Sequence, residues 1–209
     1  TIQSRGLGDV YKRQTKRMRM QPSGLNNRVL KTLSQSAPKA AVDLLGMRIS
    51  TSINDKFVEI MITETEAYGR KSTDKMALLN TYKNVPTSIT LGPPHVAVLK
   101  SYGSNRGLFL LCGKKGSAEA VLIRSSLILL GKKHIEKRRK TKMKFDKLNG
   151  PGNITKSLGI DQKLDGENIL SGIINLSPRI HPLDKAVAKQ RKNAKRNDKH
   201  LWRYSLILK

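Results

Sequence analysis

Two glutamates and a tyrosine alternate along T-E-T-E-A-Y, residues 63–68. The preceding residues, Phe57 to Ile62, read as a β-strand, and a period of two puts Glu64, Glu66 and Tyr68 on one face of its continuation. A carboxylate there can take a proton from water and stabilise positive charge growing on a sugar ring. Tyr68 can lie flat against an aromatic base. The competing reading is a pair of surface charges matched by nearby lysines. Acid beside stacking platform, in a strongly cationic chain, points to chemistry on a nucleotide, which requires the base to leave its stack and enter a pocket.

Other positions carry a sharp and a plain reading side by side. Arg124 interrupts the apolar run A-V-L-I-R. It either ends the strand and reaches solvent, or pairs with Glu66 or a bound water, because a buried arginine is costly without a partner. Tyr102-Gly103 lies in S-Y-G-S between two strands. It is either an ordinary hairpin turn or a wedge that fills the gap a departing base leaves in a duplex. Asn149 to Gly152, N-G-P-G, reads as a sharp loop before it reads as a phosphate cradle. His95, His134, His181 and His200 are scattered without ligand spacing and read as structural or surface groups. Cys112, the one cysteine, forms no intramolecular disulfide and offers no metal-site spacing.

The chain has 41 Lys+Arg against 15 Asp+Glu, a formal charge of +26 over 209 residues. Such a field draws polyanions, nucleic acid first and an anionic membrane surface second. No apolar run reaches the roughly 18 residues of a spanning helix, and no secretory leader opens the chain. A reducing compartment is expected, the nucleus in a eukaryote or the cytoplasm in a bacterium. The length suits one full-sized domain, with 37% hydrophobic residues to build its core.

The elements that must position these groups follow from periodicity. Residues 1–38 are set apart as a disordered basic arm. Within it, residues 1–14 resemble a translated library adapter and are left out of fold reasoning. Order is expected from near Pro38, with the domain over residues 39–209. Ala40 to Leu45 reads as a short helix. Met47 to Ile53 and Phe57 to Thr65 form a hairpin turning at Asn54-Asp55. Val58, Ile60 and Ile62 share the parity of Glu64, Glu66 and Tyr68, which suggests a core strand emerging into a cleft on one face. His95 to Leu99, Leu108 to Cys112 and Ala120 to Leu127 read as further strands. Gly131 to Lys144 is a basic helix or arm, and Asn153 to Leu158 a short helix stopped by Gly159. Lys185 to Lys199 reads as a solvated basic run, and Leu201 to Leu208 as a closing strand. The expectation is one α+β domain with basic appendages.

In this order, A-V-D-L-L-G (41–46), T-E-T-E-A-Y (63–68), H-V-A-V-L-K-S-Y-G (95–103), A-V-L-I-R (120–124), N-G-P-G-N-I-T-K-S-L-G-I (149–160), S-P-R-I (177–180) and L-W-R-Y (201–204) resemble the alkyladenine (3-methyladenine) DNA glycosylase family. The resemblance implies a compact α+β domain with a curved antiparallel sheet, flanking helices and a protruding β-hairpin that enters the DNA minor groove. It implies hydrolysis of the N-glycosidic bond of alkylated or deaminated purines in double-stranded DNA, by a monomer with no metal or organic cofactor. Position by position, Glu66 matches the carboxylate that activates water, and Arg124 the arginine that helps hold it. Ile180 matches a residue whose backbone carbonyl contacts the water. Tyr68 matches an aromatic that stacks on the flipped base, and Tyr102, with Gly103, the hairpin wedge.

The departures fall between Met76 and Phe109. Leu78 stands where the family has a pocket histidine, Leu99 where it has a second stacking tyrosine, and Phe109 where it has an asparagine that discriminates among purines. Each lost aromatic removes about 1–3 kcal/mol of stacking. Three expectations remain: a glycosylase with an altered pocket, a DNA-binding relative without the chemistry, or a basic RNA-binding protein.

Overall fold

The computed structural model describes residues 23–82, 84–101, 103–182, 185–194 and 198–207. Two helices come first, α1 (Ser23–Leu33) and α2 (Ala37–Asp43). Strands β1 (Arg48–Ile53) and β2 (Lys56–Tyr68) then form the expected hairpin. Asn54 and Asp55 sit at φ 52° and 56°, the left-handed pair a two-residue turn needs to match strand twist. A short helix α3 (Leu78–Thr81) and a 3-10 turn (Thr87–Thr90) follow. Next come β3 (Val96–Lys100), β4 (Arg106–Cys112), β5 (Glu119–Leu130), α4 (Lys132–Arg139), β6 (Lys147–Asn149) and α5 (Pro151–Leu158). Strands β7 (Ile174–Ser177), β8 (Ala186–Lys189) and β9 (Arg203–Leu206) complete the described chain. The architecture is α+β, with one curled antiparallel sheet in the order β3-β4-β5-β2-β1-β7. None of the described helices is long and apolar enough to cross a membrane.

The curl originates in the two long central strands. Along one edge β2 pairs first with β1 and then with β9, while its other edge follows β5. In turn β5 pairs with β4 and then with β6. Where the partners change, the β2–β5 register slips. Ile62 faces Ser126, Glu64 faces Ser125 and Thr65 faces Ile123, so Thr63 and Arg124 are extra residues, one on each strand. Bulges of this kind bend a strand and re-aim its side chains.

The bulge corrects the expectation that one face runs unbroken from Val58 to Tyr68. Val58, Ile60 and Ile62 lie in the main core, but beyond Thr63 the main core takes Ala67, and Thr65 turns its hydroxyl to the α2 carbonyl of Ala41 at 2.9 Å. Glu66 and Tyr68 therefore face the opposite side of the sheet, where Tyr68 packs on a second apolar cluster. The β3–β4–β5 end is buried on both faces, which accounts for its unbroken apolar runs.

Two boundaries also differ from expectation. Helix α1 begins fifteen residues before Pro38, and its Val29 and Leu33 are fully buried in the main core. The adapter-like residues 1–14 lie outside the described residues. The basic run from Lys185 is no plain solvated surface: it contributes β8, and Arg191 within it is 2% exposed. A buried guanidinium requires partners, and its partners lead to the site.

Candidate active site

Glu66 lies on β2 one residue past its pairing with the bulge, and its carboxylate is almost wholly covered, at 1% exposure. Both oxygens are engaged. Oε2 accepts the Tyr68 hydroxyl at 3.1 Å and Arg124 Nη1 at 3.3 Å. Oε1 accepts the backbone N–H of Lys192 at 2.7 Å. Arg124 reaches across because it is the extra residue on β5, and its Nε also donates to Glu64 Oε1 at 3.2 Å. Glu64 is held further by Ser205 Oγ at 3.2 Å and by Arg203 at 3.9 Å, both on β9. The N-G-P-G loop braces the bulge from outside: Gly150 N–H donates to the Arg124 carbonyl at 2.8 Å. Its role here is that of a turn leading into α5.

Tyr68 is half-buried, its ring 5.7 Å from that of Phe109 in an edge-on arrangement. Burial, and after it the Glu66 carboxylate, push the phenol well above its ordinary range, so the hydroxyl stays a donor. Behind it, Leu78, Leu99 and Phe109 meet in the second apolar cluster with Leu111, Ala120 and Leu122. The structure thus gathers the three departures from the family pattern at one place, against the tyrosine matched to base stacking.

Of the remaining predicted positions, Gly103 lies at the exposed tip of the β3–β4 hairpin at φ 60°, and a Cβ there would meet nothing within 4 Å. Tyr102 lies outside the described residues. Ile180 sits in the loop after β7 with its side chain 68% exposed, and it is not among the Glu66 hydrogen-bond partners. Cys112 is buried, and burial followed by the Glu119 charge pushes its thiol up, away from reactivity.

Sequence reasoning missed Arg191. Its Nη1 and Nη2 each donate to an Asp74 oxygen at 2.8 Å, and Nη2 also donates to Asp198 at 2.8 Å. Nη1 donates as well to the Ala67 carbonyl at 3.0 Å. The guanidinium lies 5.3 Å from the ring centres of both Tyr68 and Trp202. Burial would lower its pKa, but the hydrogen bonds it donates to Asp74 and Asp198 outweigh it and raise the pKa above the ordinary range. Asp74 also accepts the N–H groups of Gly69 and Met76. A Cβ on Gly69 would stand 3.0 Å from the Trp202 ring, so a larger residue here would require that ring to shift. The one available signal was Asp198, the single acid in residues 185–199.

A curled antiparallel sheet carrying a covered carboxylate, an arginine and a tyrosine, in a chain of net charge +26, defines a strongly cationic α+β protein with a carboxylate-centred site. Comparison with known proteins makes this specific. The methylpurine-DNA glycosylase family model matches residues 31–207, and the chain belongs to that family. A relative from Rubrobacter xylanophilus is 31% identical over 168 residues, 79% of this chain and 86% of its own length. One from Streptomyces avermitilis is 34% identical over 128 residues, 60% of each chain. One from Carboxydothermus hydrogenoformans is 33% identical over 135 residues, 64% of this chain and 70% of its own. All three carry the name "putative 3-methyladenine DNA glycosylase".

Proposed function

We propose that this protein excises alkylated or deaminated purines from double-stranded DNA by hydrolysing the N-glycosidic bond, as a monofunctional glycosylase working as a monomer without metal or cofactor. The observation that carries the reading is the Glu66 carboxylate, oriented through both oxygens by Tyr68, Arg124 and the Lys192 N–H. Phosphate contacts from the basic surface hold the duplex. The β3–β4 hairpin, with Gly103 at its tip, carries the Tyr102 wedge that fills the gap as the damaged base flips out. Tyr68 stacks on the base. As the C1′–N bond loosens and its electron pair leaves with the base, water attacks C1′ and passes a proton to Glu66. Arg124 and the backbone carbonyl of Ile180 orient that water. General-base assistance of this kind contributes about 10²–10⁴-fold.

Single-turnover excision tests this, on duplexes carrying one hypoxanthine, one ethenoadenine or one methylated purine. Glu66→Gln should abolish base release and leave duplex affinity intact. Wild-type excision by that variant would remove Glu66 from the mechanism. The apolar cluster of Leu78, Leu99 and Phe109 favours a second reading, DNA binding without excision. Tight duplex binding by a wild type that releases no base would establish it.

A further inference from the structure

The segment from β8 to β9 covers Glu66 with almost no apolar support. Every residue of β8 is exposed, β8 pairs only with β9, and Gln190, Lys192 and Asn193 are exposed as well. Apolar packing does not fix the chain just after β8, whereas β9 is held by its pairing with β2. Among the described residues between β8 and β9, Arg191 and Asp198 are buried, and Arg191 donates to both Asp198 and Asp74.

The geometry of that anchor is specific. Two adjacent residues of the segment grip two adjacent residues of β2: Arg191 Nη1 holds the Ala67 carbonyl at 3.0 Å, and the Lys192 N–H donates to Glu66 Oε1 at 2.7 Å. Asp74 receives the guanidinium as a two-pronged fork and returns to the end of β2 by accepting the Gly69 N–H at 2.9 Å. Bidentate arginine–carboxylate pairing fixes direction as well as distance. A one-residue slip of the segment would move the Lys192 donor off the carboxylate and leave a guanidinium buried without partners, which is strongly unfavourable.

We infer that Arg191 is a positioning residue for the reaction: its buried fork sets the placement of residues 190–194 against β2, so that the Lys192 N–H aligns the Glu66 carboxylate for water. The inference rests on Glu66 as the base. In this role Arg191 acts through its neighbour's amide.

The test uses the full chain, with single-turnover excision and duplex affinity measured in parallel. Arg191→Lys keeps the charge but has three donors and no planar fork, so it cannot make the four hydrogen bonds of the guanidinium to Asp74, Asp198 and Ala67. It should slow base release roughly tenfold to a hundredfold, the loss expected when a charge-assisted hydrogen bond is misplaced. Duplex affinity should stay within about twofold of wild type, because no phosphate contact is removed. A second variant replaces the Arg191–Lys192 amide by an ester, deleting only the N–H and leaving the ion network whole. It should show comparable slowing, with stability lowered only by about the worth of that one hydrogen bond, and wild-type excision by it overturns the inference even where Arg191→Lys fails to fold.

An ester variant excising at the wild-type rate, beside an inactive Glu66→Gln, overturns the Arg191 assignment and leaves the proposed function standing. Full activity in Glu66→Gln overturns the proposed function, and the positioning role with it. Slowing matched by an equal loss of duplex affinity overturns the positioning role alone.

Discussion

The Tyr68 hydroxyl donates to Glu66 Oε2 at 3.1 Å, while the ring of the same residue packs edge-on against Phe109. One side chain thus combines two separable jobs, a donor to the carboxylate and an aromatic face. Tyr68→Phe removes the first and keeps the second. Base release should slow about tenfold, the worth of one hydrogen bond to a charged group at the low end, with duplex affinity unchanged. Tyr68→Ala, which also removes stacking, should lose roughly a further tenfold to a hundredfold. Single-turnover rates for the two variants check the separation.

The raised Tyr68 pKa makes a second prediction, in stability rather than rate. In the unfolded chain the phenol titrates near its ordinary 10.0, whereas in the fold burial and Glu66 hold it protonated well beyond that. The stabilisation tied to the folded value is fully present below pH 10 and is lost as pH rises above it. Between pH 10 and 11 the wild type should therefore lose about 1 kcal/mol of unfolding free energy relative to Tyr68→Phe. Below pH 9 their difference should be constant. Urea midpoints of the two proteins across that range provide the measurement.

Acid has the opposite sign at the Arg191 network. Burial would raise the Asp74 and Asp198 carboxyls, but Arg191 hydrogen bonds and backbone N–H groups outweigh it and hold both below the ordinary 3.8. Their stabilisation is present above that value and is lost as pH falls through the lowered folded values. At pH 7, Asp74→Asn should cost about 3–5 kcal/mol, since it breaks a buried pair and leaves charge uncompensated. The gap from wild type should narrow as pH drops below 3.8. Urea unfolding at pH 7, 5 and 3 checks both the size and the trend.

The legible parts of this molecule are those set by local pattern. Asn54-Asp55 between alternating apolar runs marked the first hairpin, and of the two readings open for the arginine ending A-V-L-I-R the structure has the pairing with Glu66, with Glu64 beside it. The bulge at Thr63 was illegible because a threonine suits either face of a strand, and nothing local marks the residue that a register skips. Helix α1 was passed over because its Gly24, Asn26 and Asn27 read as loop, although Leu25, Val29 and Leu33 recur at a spacing of four. Arg191 was hidden by its basic neighbours: its main partner, Asp74, is 117 positions away in sequence, and only the folded β8–β9 segment brings them together.

The apolar cluster at Leu78, Leu99 and Phe109 makes the last prediction. These side chains present no hydrogen-bond donor or acceptor to a base lying on Tyr68, so selection among purines there rests on shape and stacking. A pocket that only packs distinguishes related ligands weakly, whereas one that hydrogen-bonds them distinguishes strongly. The wild type should therefore excise hypoxanthine, ethenoadenine and methylated purines with rate ratios of about a hundredfold or less, apart from differences in intrinsic leaving-group reactivity. Phe109→Asn introduces an amide at 5.7 Å ring distance from Tyr68. It should change the ratio of hypoxanthine to methylated-purine excision by at least about tenfold, since one hydrogen bond made or denied to the base is worth that much. It should also lower stability by about 3 kcal/mol, because Phe109 is buried and its ring volume is lost from the cluster. Phe109→Leu shares most of the volume loss but adds no amide, and its lesion ratios should match the wild type. Lesion ratios that move equally in the two variants would show that ring packing, and not hydrogen bonding at this position, sets the preference.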